Sequence, residues 1–318
     1  MPPTIDIHLG ADDLDAALQA DVLRGLGDRP LSLPPKWFYD DLGSRLFDAI
    51  TALPEYYPTR AETSILVDQA RAVARTLRPD TLVELGSGTS TKTRILLDAL
   101  GVRRFVPLDV SETTLCTAAA TLTSQYPGLE VHAVVGDFER HLVKLPGGDR
   151  RLVAFLGGTI GNLEPHSRAL FLEDLAAVLE PGEGLLLGTD LVKDSSRLVA
   201  AYDDPGGVTA AFNLNVLNVL NYRVGGDFDL RQFSHEARWN AQDAWIEMHL
   251  RSDVDQRVRI DGVGMSLSLA AGESIRTELS AKFRPEQVEA ELAAVGFELR
   301  AWWTDDDGDF ALSLSERT

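Results

Sequence analysis

A short acidic, glycine-rich stretch is the part of this 318-residue chain best suited to chemistry. Glu84 precedes Gly86 and Gly88, and this turn lies between an apolar run and a helix-forming segment. Glycine lets the backbone bend sharply and approach a ligand, because it has no Cβ. A second apolar run ends at Asp109, about 20 residues further on, where a carboxylate can accept hydrogen bonds from ribose hydroxyls. The pattern therefore predicts a nucleotide-like cofactor at the end of a sheet.

The turn differs from the turns that bind dinucleotides. Those turns carry a third small residue three positions after the second glycine, where this chain has Thr91. The carboxylate of Glu84 would repel a pyrophosphate and would suit a cationic ligand. The E-x-G-x-G pattern resembles the first motif of S-adenosylmethionine-dependent methyltransferases, which implies S-adenosylmethionine as co-substrate. The alternative is a tight strand–helix turn that binds no ligand.

Two later segments carry further polar residues at strand ends. Asp137 and Phe138 follow an apolar run, where an acid can bind the adenine amino group and an aromatic ring can cover the base. Further along, Gly157 allows a ligand to approach the backbone, and Asn162 can donate and accept hydrogen bonds, so that it could hold a carboxylate or an amine. An ordinary loop beside a core phenylalanine, and an ordinary strand–helix loop, are the simpler interpretations of these two segments.

Composition limits the classes of partner. The formal net charge is −19, so the long-range field repels polyanions and argues against nucleic acid and anionic membranes as partners. No apolar run reaches the length of a membrane span, and no signal peptide is visible at the N-terminus. The single cysteine, Cys116, favours a cytoplasmic protein, and the six histidines lack metal-binding spacing, so no metal is expected. We expect a monomer.

Alternating strand and helix patterns predict an α/β fold with a Rossmann-like, mainly parallel sheet. The closing elements of the chain resemble the final antiparallel pair of a class I methyltransferase sheet. The alternation breaks after residue 192, and short strands and helices follow before a final helix and two strand candidates. We therefore predict an S-adenosylmethionine-binding domain and a discontinuous α+β substrate-binding domain over the carboxyl ends of its strands. Their predicted bounds are 61–192 plus 281–318 for the first, and 1–60 plus 193–280 for the second.

The motifs P-P-K-W-F-Y-D, L-P-E-Y-Y-P-T-R, V-E-L-G-S-G-T-S, G-D-F, T-I-G-N-L and G-T-D-L-V-K-D occur in this order. Together they resemble the histidine Nα-methyltransferases of ergothioneine biosynthesis. The resemblance implies three successive methyl transfers from S-adenosylmethionine to the α-amine of L-histidine, giving hercynine. One alternative is an N-methyltransferase of another amino acid, such as tryptophan. Another is a catalytically silent cofactor-binding or scaffold protein.

The resemblance also implies residue roles. Histidine is expected to contact Tyr56, Gly157, Asn162, Tyr202, Met248, Glu278 and Ser280. S-adenosylmethionine is expected to contact Tyr39, Gly86, Ser87, Lys92, Asp109, Asp137 and Phe138. In the first set, Tyr56 and Asn162 are the implied catalytic residues, and Asn162 and Tyr202 hold the carboxylate. The resemblance implies that Glu278 and Ser280 recognise the imidazole. They are two residues apart, so both lie on the same face of a strand.

Overall fold

A computed structural model describes residues 2–318 of the chain, which divide into two compact units. Unit 1 comprises residues 2–10, Pro58–Leu191 and Phe283–Thr318, and unit 2 comprises Ala11–Tyr57 and Val192–Lys282. The predicted division assigned residues 1–60 as a block to the second domain. This was wrong for residues 2–10, because the strand Thr4–Ile7 pairs with a strand of the unit 1 sheet.

The strands and helices are bounded as follows. The strands of unit 1 are β1 (Thr4–Ile7), β2 (Thr81–Leu85), β3 (Arg104–Asp109), β4 (Glu130–Val135), β5 (Arg151–Phe155), β6 (Gly184–Asp190), β12 (Phe297–Thr304) and β13 (Phe310–Arg317). Those of unit 2 are β7 (Phe233–Asn240), β8 (Trp245–Ser252), β9 (Gln256–Ile260), β10 (Met265–Leu269) and β11 (Ser274–Ala281). The α-helices are α1 (Ala11–Gly27), α2 (Asp41–Thr51), α3 (Pro58–Leu77), α4 (Thr93–Leu100), α5 (Glu112–Gln125), α6 (Phe138–His141), α7 (Pro165–Val178), α8 (Ser195–Tyr202), α9 (Val208–Val224) and α10 (Pro285–Ala294).

Unit 1 is built on an eight-stranded sheet in the order β1-β4-β3-β2-β5-β6-β13-β12. The first six strands in this order run parallel, and β13 and β12 are antiparallel to their neighbours. Every residue of β2, β5 and β6 is buried, as expected for strands that are covered on both faces. The predicted α/β class, parallel sheet and final antiparallel pair are confirmed.

Unit 2 has a three-stranded antiparallel sheet, β11-β8-β7, and a β9-β10 hairpin. Its core lies between these strands and the helices α1, α2, α8 and α9. The asparagine-rich helix α9 uses its amides as structural links: Asn215 Nδ2 donates to Asp40 Oδ1 at 2.8 Å, and Asn221 Nδ2 donates to the carbonyl of Phe228 at 2.8 Å. In the part of the chain that the structure describes, no helix combines the length and apolarity needed to cross a membrane.

Candidate functional site

In the glycine turn after β2, every second residue has a left-handed backbone conformation. Gly86, Gly88 and Ser90 have φ of 68°, 49° and 53°. A Cβ on either glycine would meet nothing within 4 Å, so both positions face open space. The hydroxyl of Ser87 is buried and has no hydrogen-bond partner among the described residues. An orphaned buried hydroxyl beside an open, strongly bent backbone fits a polar ligand at this turn.

Asp109, at the end of β3, holds this turn in place. Its Oδ2 accepts from the Gly88 amide at 2.8 Å, and its Oδ1 accepts from the Ser111 amide at 2.9 Å. Burial raises the pKa of Asp109, although the two amide hydrogen bonds oppose that rise. Each carboxylate oxygen has a second lone pair, so the group that shapes the turn can also accept from a ribose diol.

Glu84 is the acid expected to attract a cationic ligand through its charge. It is buried, and the hydroxyl of Thr93 donates to its Oε2. Burial is the main cause that raises its pKa from 4.5 to about 8. Burial therefore favours the protonated form of Glu84, which weakens the expected attraction of a cation by its charge.

Lys92 is paired with a buried glutamate that the sequence interpretation missed. Glu62, on α3, is fully buried; it accepts from Lys92 Nζ and, at 2.7 Å, from the amide of Gly157. Gly157 has φ of 77° and lies just beyond β5. Glu62 thus ties the segment after β2 to the segment after β5. The available signal was its place beside Ala61 and Ile65 on the buried stripe of α3.

Asp137 and Phe138 follow β4. Asp137 caps α6, since its Oδ1 accepts from the Glu139 amide at 2.9 Å. Phe138 packs edge-on against Phe155, with ring centroids 5.1 Å apart, and against Phe171 at 5.7 Å. Because its ring is only half-buried, Phe138 combines core packing with a face that can contact a base.

Asn162 ends a short 3₁₀ helix, Thr159–Asn162, that begins after two left-handed glycines, Gly157 and Gly158. This loop follows β5, the strand next to β2 in the sheet. Since both strands are parallel, Asn162 and the glycine turn lie at the same edge of the unit 1 sheet.

In unit 2, the tyrosines expected to contact ligands lie in one aromatic group. The Tyr56 ring is 6.1 Å from Phe47 and 6.3 Å from Tyr202, both in edge-to-face geometry. Tyr39 contacts the same Phe47 at 5.5 Å and remains 41% exposed. Tyr39, predicted to contact the cofactor, therefore lies in unit 2, whereas the other predicted cofactor residues lie in unit 1.

The expected ring-binding residues share one face of the β7-β8-β11 sheet. Met248 is the cross-strand partner of Glu278, and Ile246 is that of Ser280. Directly opposed residues of antiparallel strands point to the same side, so Met248, Glu278 and Ser280 face one way. On β7, His235 belongs to the same face, because it opposes Leu250, two residues beyond Met248.

Tyr202 and Ser280 meet on this face around a lysine that the sequence interpretation did not single out. The two hydroxyl oxygens are 2.8 Å apart, and Lys282 Nζ donates to each of them at 2.9 Å. The same ammonium lies 4.6 Å from the centre of the Tyr202 ring. Lys282 is 2% exposed. Its spacing of two from Ser280, which continues the alternation of β11, was a signal available in the sequence.

A buried network supports Tyr202 from the other side. Asn213 Nδ2 lies 2.8 Å from His235 Nδ1, and His235 Nε2 lies 2.8 Å from the carbonyl of Tyr202. A carbonyl oxygen only accepts, so Nε2 donates to it, and the amide of Asn213 can donate to Nδ1. Thr277 donates to Asn213 Oδ1 at 2.6 Å. Asn213 and His235 were also missed by the sequence interpretation.

Comparison with known proteins places this geometry in context. The profile of a family described as "Histidine-specific methyltransferase, SAM-dependent" matches residues 18–317. The chain is 57% identical to a Histidine N-alpha-methyltransferase of Mycobacterium tuberculosis (strain CDC 1551 / Oshkosh), over 98% of both chains. It is 29% identical to the Ergothioneine biosynthesis protein 1 of Neurospora crassa, over 94% of this chain and 35% of that protein. A solved structure from Pyrococcus horikoshii OT3 covers 88% of this chain and 100% of its own, with a TM-score of 0.51 and 14% identity; that likeness concerns the fold alone.

Proposed function

We propose that the chain trimethylates the α-amine of L-histidine. It belongs to the family of histidine-specific, S-adenosylmethionine-dependent methyltransferases. Three successive transfers give hercynine, the first betaine on the way to ergothioneine. The observation that carries this proposal is that Tyr202, Ser280, Glu278 and Met248 lie at one face of the β7-β8-β11 sheet of unit 2. Their polar groups and the soft apolar thioether suit an imidazole.

S-adenosylmethionine supplies an electrophilic methyl group on a sulfonium. The residues proposed to bind it are Gly86, Ser87, Lys92, Asp109, Asp137 and Phe138 of unit 1 and Tyr39 of unit 2. Asp109 accepts from the ribose hydroxyls and Asp137 from the adenine amine, while Phe138 covers the base. The open side of Gly86 and the orphan hydroxyl of Ser87 give the donor room and a polar contact.

Histidine is proposed to bind through its two ends. Tyr202 and Asn162 hold the carboxylate, while Glu278 and Ser280 bind the imidazole nitrogens. Met248, 1% exposed, packs against the ring, since a thioether adapts to an aromatic face. Tyr56 and Gly157 complete the set beside the ring and the amine.

The chemistry requires a neutral amine that is aligned with the methyl–sulfur bond. A carboxylate beside the nitrogen would favour the protonated amine and suppress attack. The proposed neighbours of the amine, Tyr56 and Asn162, are uncharged, so they can direct the nitrogen lone pair without raising the pKa of the amine. Each transfer also replaces an N–H by a methyl group, so binding must depend on the carboxylate and the ring.

The test is a competition assay. Purified protein is incubated with S-adenosylmethionine and all twenty amino acids at equal concentration, and products are identified by mass spectrometry. We expect trimethylated histidine as the main product. Methylated tryptophan or another methylated amino acid as the main product would overturn the assignment of the acceptor, and no methylated product at all would overturn the proposal.

We also propose that the enzyme works as a monomer in the cytoplasm, with no metal ion and with no nucleic acid or membrane partner. The supporting features are the single cysteine and the net charge of −19, which repels anionic polymers and lipids.

A further inference from the structure

Lys282 is a buried cation that the methyl-transfer chemistry described above does not use. A buried ammonium is costly unless strong partners compensate it. The groups around this one include the two hydroxyls of Tyr202 and Ser280, each 2.9 Å away, and the Tyr202 ring. All three side chains are at most 8% exposed. The arrangement is therefore a compact triangle of one obligate donor and two hydroxyls.

The positions of the hydroxyl protons follow from this triangle. A lysine ammonium only donates, whereas a hydroxyl has one proton and two lone pairs. Tyr202 and Ser280 each accept from Lys282, and the 2.8 Å separation of their oxygens means that one of them donates to the other. Of the two hydroxyl protons, one is used inside the triangle and the other is directed to an acceptor outside it.

A substrate carboxylate decides which proton that is. The stronger acid donates to the stronger acceptor, so the phenol of Tyr202 donates to the carboxylate and Ser280 donates to the phenol. Ser280 then has a lone pair for a ring N–H. The positive charge of Lys282 also favours an anionic group at this end of the substrate.

We propose that Lys282 is a positioning and specificity residue that fixes the Tyr202–Ser280 pair so that the phenol of Tyr202 donates to the substrate carboxylate. Lys282 acts through the two hydroxyls and does not touch the reacting atoms. This inference rests on the proposed function, because it assumes that histidine is the acceptor and that Tyr202 faces its carboxylate.

The experiment compares four variants with the wild type. They are Lys282→Met, Lys282→Arg, the double variant Tyr202→Phe/Ser280→Ala, and the triple variant that adds Lys282→Met to that double variant. Initial rates are measured with histidine and with histidinamide, in which a neutral amide replaces the carboxylate. Lys144→Met, which removes an exposed lysine from unit 1, is the control for the loss of one positive charge. Thermal melting and the KM for S-adenosylmethionine report whether each variant is folded.

We expect Lys282→Met to raise the histidine KM at least tenfold and to change the S-adenosylmethionine KM less than twofold. Lys282→Arg, which keeps the charge, should lie between the wild type and Lys282→Met. The histidinamide KM should change less than threefold. In the Tyr202→Phe/Ser280→Ala background, adding Lys282→Met should change the histidine KM less than threefold, because the groups through which it acts are gone.

Two results would overturn the inference while leaving the function intact. One is an equal loss for histidine and histidinamide, and the other is a full tenfold effect in the Tyr202→Phe/Ser280→Ala background; both indicate a merely structural lysine. If Lys282→Met does not fold, Lys282→Arg carries the test: a histidine KM equal to that of the wild type, or an equal loss for histidine and histidinamide, also overturns the inference. Failure of the wild-type protein to methylate histidine instead refutes the proposed function.

Discussion

Replacing Asp109 by asparagine tests the proposed S-adenosylmethionine site most directly. Asp109 accepts from the amides of Gly88 and Ser111 at 2.8 and 2.9 Å, one on each oxygen. In Asp109→Asn an NH₂ group replaces one of these oxygens. One backbone N–H then faces a donor instead of an acceptor, and one of the two ribose acceptors is lost.

The expected size of the effect follows from these two losses. A hydrogen bond to a charged group contributes about 1.5–3 kcal/mol. The lost ribose bond weakens the bound state alone, whereas the lost amide bond weakens the turn in both the free and the bound protein. We therefore expect the S-adenosylmethionine affinity to fall by about 1.5–3 kcal/mol, roughly 10- to 150-fold.

The assay is isothermal titration calorimetry with S-adenosylmethionine. Asp109→Ala, which loses both oxygens, should bind at least as weakly as Asp109→Asn. Glu112→Gln removes the same charge from an exposed position just after β3 and should keep wild-type affinity. A dissociation constant for Asp109→Asn within threefold of the wild-type value would refute the assignment of Asp109 to the ribose and the turn.

Three other substitutions test separate parts of the molecule. Glu278→Ala should raise the histidine KM at least tenfold and leave S-adenosylmethionine affinity within twofold, because it removes only ring contacts; unchanged histidine kinetics would contradict the ring assignment. Burial raises the pKa of Glu84 to about 8, so the folded protein holds a proton that the unfolded chain releases above its ordinary pKa of 4.5. Between these pH values, the free energy of unfolding of the wild type should fall relative to that of Glu84→Gln by about 1.4 kcal/mol per pH unit. Urea unfolding at several pH values measures it, and a constant difference between the two proteins across this pH range would contradict the prediction. Gly188→Ala brings a Cβ to 2.3 Å from Glu62 Oε1 and should cost about 1–3 kcal/mol of unfolding free energy. Its control, Gly147→Ala, has nothing within 4 Å, and an equal loss in both variants would be the contrary outcome.

The sequence predicts the elements of unit 1 well, because buried parallel strands are continuous apolar runs between helices. Strand β5, Arg151–Phe155, is such a run, and all of its residues are buried. Strand β1 escaped because it has only four residues, none of them fully buried, at the edge of the sheet. A strand this short carries too few residues for an alternation pattern to stand out.

The candidate site divides in the same way. Gly86 and Asp109 were identified from the sequence because a local turn and its nearby acid carry the signal. Glu62 bonds to an amide 95 residues away, and Lys282 bonds to a hydroxyl 80 residues away. Their roles depend on tertiary contacts that no local pattern encodes.

The link between Tyr202 and Ser280 bears on how one site could process three different acceptors. Histidine and its monomethyl and dimethyl forms differ only at nitrogen, while the carboxylate and imidazole stay the same. The two hydroxyls proposed to hold those constant ends are 2.8 Å apart and share one ammonium. A shift of one hydroxyl therefore disturbs the other, so the carboxylate and the imidazole would be held by one rigid unit. Rigid anchors of this kind let the nitrogen lose its N–H donors one by one without loss of alignment, since alignment never depended on those donors.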